Sequence, residues 1–302
     1  MEFDPNEIYD EPTPNPPSDF EWKVGARDDE VTITKFLNET ATVCVVPEKI
    51  DGRVVTEIGE SAFEQRQTLE KVVFPDSLQC IGFSAFEECR ALQEVTFPDS
   101  LRDVGWRAFA GCEALQEVEL PDALENIGAY AFNGCRSLTD VYLNGSLANV
   151  GDGAFAGCNS LTSVNVDSPL ERIGDDAFFG CDSLTDVAIS SGAWLEIGSG
   201  AFGRCQALSS VFLPSSTESI GSNAFYGCVS LTSVSLPDEL RVLGCEAFAK
   251  CQALTKVYFG SELRDVASDA FVGCSPELTI YASDIYNDEI RKLVEANNYR
   301  LG

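Results

Sequence analysis

The chain has 302 residues, of which 44% are apolar and 10% aromatic, so it can build a large buried core. Its 49 acidic and 20 basic side chains give a formal net charge of -29 at pH 7, which argues against nucleic acid and anionic membrane surfaces as partners. It contains no His, so imidazole is excluded as a general base or metal ligand. No stretch approaches about 18 consecutive apolar residues, so we expect no membrane insertion.

The N-terminal residues differ in composition from everything that follows. Residues 1–18 contain five prolines and five acidic side chains with few apolar ones, which predicts a disordered acidic Pro-rich tail or linker. Two runs of alternating apolar and polar residues follow at 20–24 and 31–36, a pattern typical of a hairpin. We therefore expect residues 19–46 to form an N-terminal β cap.

A fixed period governs residues 47–281. The dipeptide Ala-Phe recurs ten times at a spacing of 23 residues, with one step of 24 that places Trp194 in a slot usually held by leucine. The aligned pattern is L-x-x-[IV]-G-x-x-A-F-x-x-C-x-x-L-x-x-V-x-[FL]-P-x-x. A unit this short has too little apolar surface to fold alone, so the repeats must stack into a solenoid. The repeated phenylalanines are Phe63, Phe86, Phe109, Phe132, Phe155, Phe178, Phe202, Phe225, Phe248 and Phe271.

One repeat predicts the cross-section of the solenoid. The alternation around Val95-x-Phe97 indicates a short half-buried strand, and stacking makes these strands a parallel sheet. Pro98 ends the strand because it has no N–H for a further ladder bond. Gly82 suits a bend or a close backbone approach, and the following Ala-Phe pair predicts a short helical turn whose Phe86 fills the interior.

The residues after 281 predict a helix that closes the C-terminal end. Its apolar stripe consists of Ile290, Leu293 and Val294. Ser283 or Asp284 would cap its first turn. We therefore expect residues 282–302 to form a C-terminal helical cap.

The repeat also accounts for most of the twelve cysteines. A side chain that recurs once per coil forms a ladder inside the stack, where Cys acts as a small apolar filler with an S–H donor for turn carbonyls. The nine ladder members are Cys89, Cys112, Cys135, Cys158, Cys181, Cys205, Cys228, Cys251 and Cys274. Parallel side-chain directions argue against disulfides, and the absence of any C-x-x-C pair argues against zinc. Residues 198–203 match G-x-G-x-x-G but occupy ordinary repeat slots, so no cofactor is expected.

The string I-G-x-x-A-F-x-x-C-x-x-L-x-x-V-x-L-P resembles the BspA-type leucine-rich repeat over about residues 43 to 281. The resemblance implies an α/β repeat solenoid, a right-handed leucine-rich-repeat coil with a parallel sheet on one face and short helical turns opposite. The N-terminal strand cap and the C-terminal helix cap predicted above would close the two ends of this solenoid. Resemblance to the family also implies a bacterial surface or secreted protein, since many members are of that kind. The chain shows no signal peptide, and its many cysteines fit a reducing compartment, so a surface or secreted location and a cytoplasmic one both stay open.

The candidate binding residues flank the core positions of each predicted strand and point away from the interior. The slot between the two core residues changes from coil to coil and includes Glu119, Tyr142, Phe212, Tyr258 and Tyr281. The slot before it includes Glu94, Glu117 and Asp140. Phe212 and Tyr258, two coils apart, predict an aromatic patch for sugars or apolar side chains, and the acids around Tyr142 favour a basic partner. The alternative for the aromatic patch is that single exposed aromatic residues occur on any sheet. The alternative for the acids is a general acidity that keeps the protein soluble.

The sequence therefore predicts a non-catalytic binding or adhesion module that recognises a protein or glycan through the open face of its sheet. The alternative is a structural or self-assembling repeat array without a separate ligand. An enzyme is disfavoured, because the chain has no His and the repeat absorbs most of its cysteines.

Overall fold

The computed structural model describes residues 13–190, 194–282 and 287–302. A 3-10 helix covers Pro17–Asp19, and one α-helix, α1, covers Asp288–Asn297. The strands in chain order are β1 (Phe20–Val24), β2 (Glu30–Phe36), β3 (Val43–Val45), β4 (Lys49–Ile50), β5 (Arg53–Ile58), β6 (Lys71–Val73), β7 (Cys80–Ile81), β8 (Glu94–Thr96), β9 (Asp103–Val104), β10 (Asn126–Ile127), β11 (Asp140–Asn144), β12 (Asn149–Val150), β13 (Ser163–Asp167), β14 (Arg172–Ile173), β15 (Asp186–Ile189), β16 (Leu195–Ile197), β17 (Ser210–Phe212), β18 (Thr217–Ile220), β19 (Ser233–Ser235), β20 (Val242–Leu243), β21 (Lys256–Phe259), β22 (Asp265–Val266), β23 (Thr279–Ala282) and β24 (Arg300–Leu301).

Two sets of strands run along the solenoid, and they are parallel except for the antiparallel pairs β1–β2 and β4–β5. The long sheet has 13 strands in the order β1-β2-β5-β7-β9-β10-β12-β14-β16-β18-β20-β22, with β4 paired to β5. The segmented sheet consists of β3-β6-β8, β11-β13-β15-β17 and β19-β21-β23-β24. The segmented sheet is the predicted parallel sheet of Val-x-Phe strands, which is confirmed. The repeat pattern does not predict the long sheet, because most of its strands span only two residues and show no alternation.

A continuous stack of phenylalanine rings fills the interior. All ten repeated Phe side chains are fully buried, and Phe36 of the N-terminal hairpin extends the stack by one ring. Neighbouring ring centroids of the ten lie 4.6 to 5.5 Å apart. This spacing follows the distance of about 4.8 Å between paired strands. Each ring therefore packs on the coil before it and the coil after it, and the predicted role of Phe in the interior is confirmed.

The Gly and Ala-Phe segments hold successive coils close together. A Cβ on Gly105 would lie 2.9 Å from the carbonyl carbon of Gly82 in the preceding coil, so this slot requires glycine. The turn that follows uses 3-10-type bonds, such as Cys89 N to Phe86 O at 3.2 Å. Phe86 N donates outward to Ala108 O of the next coil at 2.7 Å. The turns therefore form a third line of contacts between coils.

The ladder cysteines satisfy backbone carbonyls, as the repeat predicts. Each Sγ donates to the Phe carbonyl of the preceding coil, at distances from 2.9 to 3.3 Å across the nine residues. All twelve cysteines are free thiols. Burial raises the pKa of Cys158 to about 12, which keeps its thiol protonated and able to donate. The ladder is therefore part of the stacking interface between coils.

Three local features differ from the sequence-based expectations. Residues 1–12 of the predicted tail lie outside the described residues, but Asn15 is docked, with its N donating to Val45 O and its Oδ1 accepting from Val45 N, both at 2.8 Å. Ser283 and Asp284 also lie outside the described residues. Asn287 caps α1, because its side chain accepts hydrogen bonds from the backbone N–H groups in the first turn of the helix.

The predicted apolar stripe of α1 is confirmed, since Ile290 and Leu293 are buried and Val294 packs against the core. The strand β24 follows the helix and joins the segmented sheet, an element without a sequence signal.

The 24-residue step changes which side chain enters the core. The prediction that Trp194 takes the leucine slot is wrong. Trp194 is 62% exposed, and Leu195 is fully buried in that slot instead. The register of β16 and β18 shifts between Leu195 and Glu196. The irregular register places the smaller Leu195 inside and the bulky indole of Trp194 on the surface.

Candidate functional site

The outer face of the segmented sheet, here called the open face, carries the predicted aromatic residues. In the segment β11-β13-β15-β17 the register places Tyr142, Asn165, Ala188 and Phe212 in one column across four coils. Tyr142 is 54% exposed and Phe212 is 63% exposed. Three steps of about 4.8 Å separate them by about 14 Å. They are therefore two separate contact points in one column of the sheet, with small side chains between them.

Tyr258 has a different aromatic neighbour from the one predicted. It stacks on Tyr281, with ring centroids 4.8 Å apart and an angle of 15° between the ring planes. Tyr258 is paired with Ser235 on its other side. The ladder of strand hydrogen bonds is interrupted between β17 and β19, although the two strands remain in contact, so Phe212 and Tyr258 belong to different segments of the sheet. The sequence-predicted aromatic residues thus form a stacked tyrosine pair and an isolated exposed Phe212.

The predicted acidic residues form a row on the same face. Isolated β-bridges place Glu117 between Glu94 and Asp140, so the three carboxylates occupy equivalent positions in successive coils. Lys71 Nζ lies 2.6 Å from Glu94 Oε1 and offsets one of these charges. Asp140 Oδ1 accepts hydrogen bonds at 3.3 Å from the hydroxyls of its neighbours Thr162 and Ser163.

Glu119 adds a further exposed carboxylate to this region, one coil before Tyr142. The row Glu94, Glu117 and Asp140 together with Glu119 is called the acidic row below. It lies beside an exposed aromatic ring, and this combination suits a ligand with basic or hydroxyl donors.

A groove on the long sheet has no counterpart among the sequence-predicted site residues. Phe83 and Trp106 follow the repeat glycine in two successive coils and are 58% and 45% exposed. They border a groove of about 520 Å³ whose opposite side includes Glu57, Cys80 and Asp103. The sequence contains a signal for this groove. The position after the repeat glycine is aromatic in these two coils, whereas it holds Asp or Ser in most of the others.

The described residues offer little for catalysis or metal binding. Among them, no group of three or more His, Cys, Asp or Glu side chains is placed to hold a metal ion. Burial raises the pKa of the Cys80 thiol to about 11, and the carboxylates of Glu57 and Asp103 add to that effect, so this thiol is a poor nucleophile at neutral pH. No helix in the described ranges is long and apolar enough to cross a membrane.

Comparison with known proteins places the chain in a family. Residues 56–185 and 171–289 match the BspA type leucine-rich repeat region, with 6 copies of the repeat. Among solved structures, the leucine-rich repeat protein of T. pallidum is 32% identical with a TM-score of 0.62, and the match covers 65% of this chain and 91% of that one. A leucine-rich cell surface protein of Faecalibacterium prausnitzii is 21% identical with a TM-score of 0.53 and shares the fold, over 94% of this chain and 98% of that one. No curated protein matches the chain significantly.

The chain therefore belongs to the BspA-type leucine-rich repeat family. The positions that recur along this chain's repeat are those that build the coil: the repeat Gly, Ala-Phe, Cys, Leu and Val. Membership accordingly explains the interior of the molecule, while a ligand must be recognised by the side chains that differ from coil to coil.

Proposed function

We propose that this protein is a non-catalytic binding or adhesion module that recognises a protein or glycan through the open face. The observation that carries the proposal is the exposure of large aromatic side chains at strand positions of an otherwise regular sheet, above all Phe212 at 63% and Tyr142 at 54%. Aromatic side chains contribute large contact areas with few rotatable bonds, which is why they dominate binding hot spots.

The acidic row supports a partner that carries basic groups. Its carboxylates lie on consecutive coils beside Tyr142, so one extended basic segment can contact several of them while packing on the ring. The overall charge of -29 would also speed the approach of a basic partner and repel an acidic one. Salt weakens such an interaction, since the Debye length falls from about 10 Å at 0.1 M to about 3 Å at 1 M ionic strength.

The test is equilibrium binding of the purified protein to immobilised extracellular-matrix proteins and to arrayed glycans, with three variants alongside. Phe212→Ala/Tyr258→Ala removes the aromatic contacts, and Glu117→Gln/Glu119→Gln removes two charges of the acidic row without changing shape. Trp194→Ala is the matched control, because Trp194 is equally exposed but lies outside the open face. We expect the two double variants to weaken binding by at least about tenfold, or about 1.4 kcal/mol, and the control to bind as the wild type does. Equal binding by all four proteins would contradict the proposal.

The same set of proteins distinguishes the alternative, a self-assembling array, from a binding module. Assembly through the open face predicts a mass that rises with concentration in sedimentation and that falls to the monomer in Phe212→Ala/Tyr258→Ala. A monomer at all concentrations, together with saturable binding to a different molecule, supports the binding module.

A further inference from the structure

The groove on the long sheet is built from three parallel columns of residues in successive coils. Its floor includes the column of repeat glycines, which pack closely on the backbone of the preceding coil and line the groove beside the sheet. One wall consists of the outward strand residues Glu57, Cys80, Asp103 and Asn126, which pair in register. The other wall carries Phe83 and Trp106. With about 4.8 Å per coil, the groove extends about 14 Å along the solenoid.

The polar wall holds carboxylates that are already oriented by neutral donors. Glu57 Oε2 accepts from the Thr32 hydroxyl at 2.8 Å, and Asp103 Oδ1 accepts from the Asn126 side-chain amide at 2.9 Å. A carboxylate has about four lone-pair sites, so each retains acceptor capacity toward the groove. The wall therefore presents a row of fixed acceptors, spaced one coil apart, to hydroxyl or amide donors.

One ring of the aromatic wall, Trp106, is restrained by a neighbouring side chain. The Arg107 guanidinium carbon lies 5.3 Å from the centroid of the Trp106 ring, and its Nε donates to Glu87 Oε1 at 2.9 Å. This contact restrains the indole, so less rotamer entropy is lost when a ligand packs on it. Phe83 and the restrained Trp106, in adjacent coils, thus form an apolar surface opposite the row of acceptors.

From this arrangement we propose that the groove is a saccharide-binding site, separate from the open face, which takes a short neutral oligosaccharide. The apolar C–H faces of the sugar rings pack on Phe83 and Trp106, while hydroxyl groups donate to Glu57 and Asp103 across the glycine floor. The volume of about 520 Å³ is within the range of small-molecule sites, about 300 to 1,000 Å³.

The groove disfavours an acidic occupant by its charge and a basic one at its aromatic wall. Glu57, Glu60 and Asp103 line it against the single lysine Lys23, so an acidic sugar is repelled. A basic peptide would find the cation–π position over Trp106 already taken by Arg107, which is itself paired with Glu87. The hydrogen bonds already made by Glu57 and Asp103 come from an uncharged hydroxyl and amide, which is the donor chemistry of a neutral sugar.

The test uses fluorine NMR of the full chain labelled with 5-fluorotryptophan. The chain contains three tryptophans, so Trp106 reports on the groove and the exposed Trp194 serves as an internal control on the same protein. The probes are cellotriose, chitotriose, mannotriose and maltotriose, with trigalacturonate and a Lys-Arg-Lys peptide as charged comparators. We expect at least one neutral trisaccharide to shift the Trp106 resonance saturably with a Kd of about 1 mM or tighter, without moving Trp194.

Two groove variants and one control extend the titration. Phe83→Ala removes half of the aromatic wall, and Asp103→Asn removes a charge at nearly constant shape, so each should weaken the active trisaccharide by about tenfold. Phe212→Ala on the open face should leave the affinity for this trisaccharide unchanged. The proposal is overturned if no neutral trisaccharide moves Trp106 up to about 10 mM, if only a charged comparator does, or if both groove variants bind as tightly as the wild type. Because the readout is local to the groove, these results are independent of the outcome at the open face.

Discussion

Replacing Phe155 by Ala tests whether the stack of phenylalanine rings holds the solenoid together. Phe155 lies in the middle of the stack, is fully buried, and packs on Phe132 at 5.3 Å and on Phe178 at 5.2 Å between ring centroids. Truncation of a buried Phe costs about 3 to 5 kcal/mol through lost transfer free energy and the cavity left behind. Because two stacked neighbours are lost together, we expect about 4 to 5 kcal/mol, near the top of that range.

The assay is urea unfolding followed by circular dichroism. With a denaturant slope of about 3 kcal/mol/M, the expected loss lowers the midpoint by about 1.5 M. Phe271→Ala should cost less, because Phe271 ends the ring stack: it stacks on Phe248 at 5.5 Å on one side, and its other ring contact, with Phe259, is an edge contact at 6.0 Å. Phe212→Ala is the control of identical chemistry at an exposed position and should stay within about 0.5 kcal/mol of the wild type. A Phe155→Ala loss below about 1 kcal/mol, or equal to that of Phe212→Ala, would refute the role given to the ring stack.

Three further predictions concern the cysteines. Cys158→Ala should cost about 1 kcal/mol in urea unfolding, since Phe132 O loses the Sγ donor at 3.3 Å but keeps Cys135 N at 3.2 Å; an unchanged midpoint would show that the thiol contributes nothing. Burial raises the pKa of Cys89 and Cys158 from 9.0 to about 12, so the unfolded chain loses these protons first. The stability they contribute is fully present below pH 9 and declines up to about pH 12, at about 1.4 kcal/mol per pH unit for each thiol, and a flat midpoint over this range would contradict it. Iodoacetamide should modify exposed Cys245 in the native protein before Cys158, as peptide mass spectrometry can show; equal rates would mean that the ladder is open to solvent.

The repeat makes most of the interior predictable from sequence. A residue that recurs every 23 positions occupies the same place in each coil, so one amphipathic pattern assigns the ring stack, the thiol ladder and the Val-x-Phe strands together. Periodicity does not reveal the long sheet, because a strand such as Cys80–Ile81 is too short to alternate. Single departures from the repeat are the least predictable, as Trp194 shows, since the register shift beside it exchanges the positions of two apolar side chains.

The candidate site is predictable in part for the same reason. Alternation along a strand correctly places Phe212, Tyr142 and Tyr258 on the outside. The 23-residue spacing of Tyr258 and Tyr281 is also visible in sequence, and it produces their stacking at 4.8 Å. The interruption of the sheet after Phe212 depends on how neighbouring coils pack, for which no local residue pattern gives a signal.

The most direct measurement locates the ligand contacts, which we propose lie on the open face. Hydroxyl-radical footprinting of the wild-type protein, free and saturated with a partner from the matrix-protein panel, reports the exposure of individual aromatic side chains. We expect reduced oxidation of Tyr142, Phe212 and Tyr258, which are all exposed in the free protein, with Trp194 unchanged. Protection that includes Trp194 and leaves all three open-face residues unchanged would contradict this proposal.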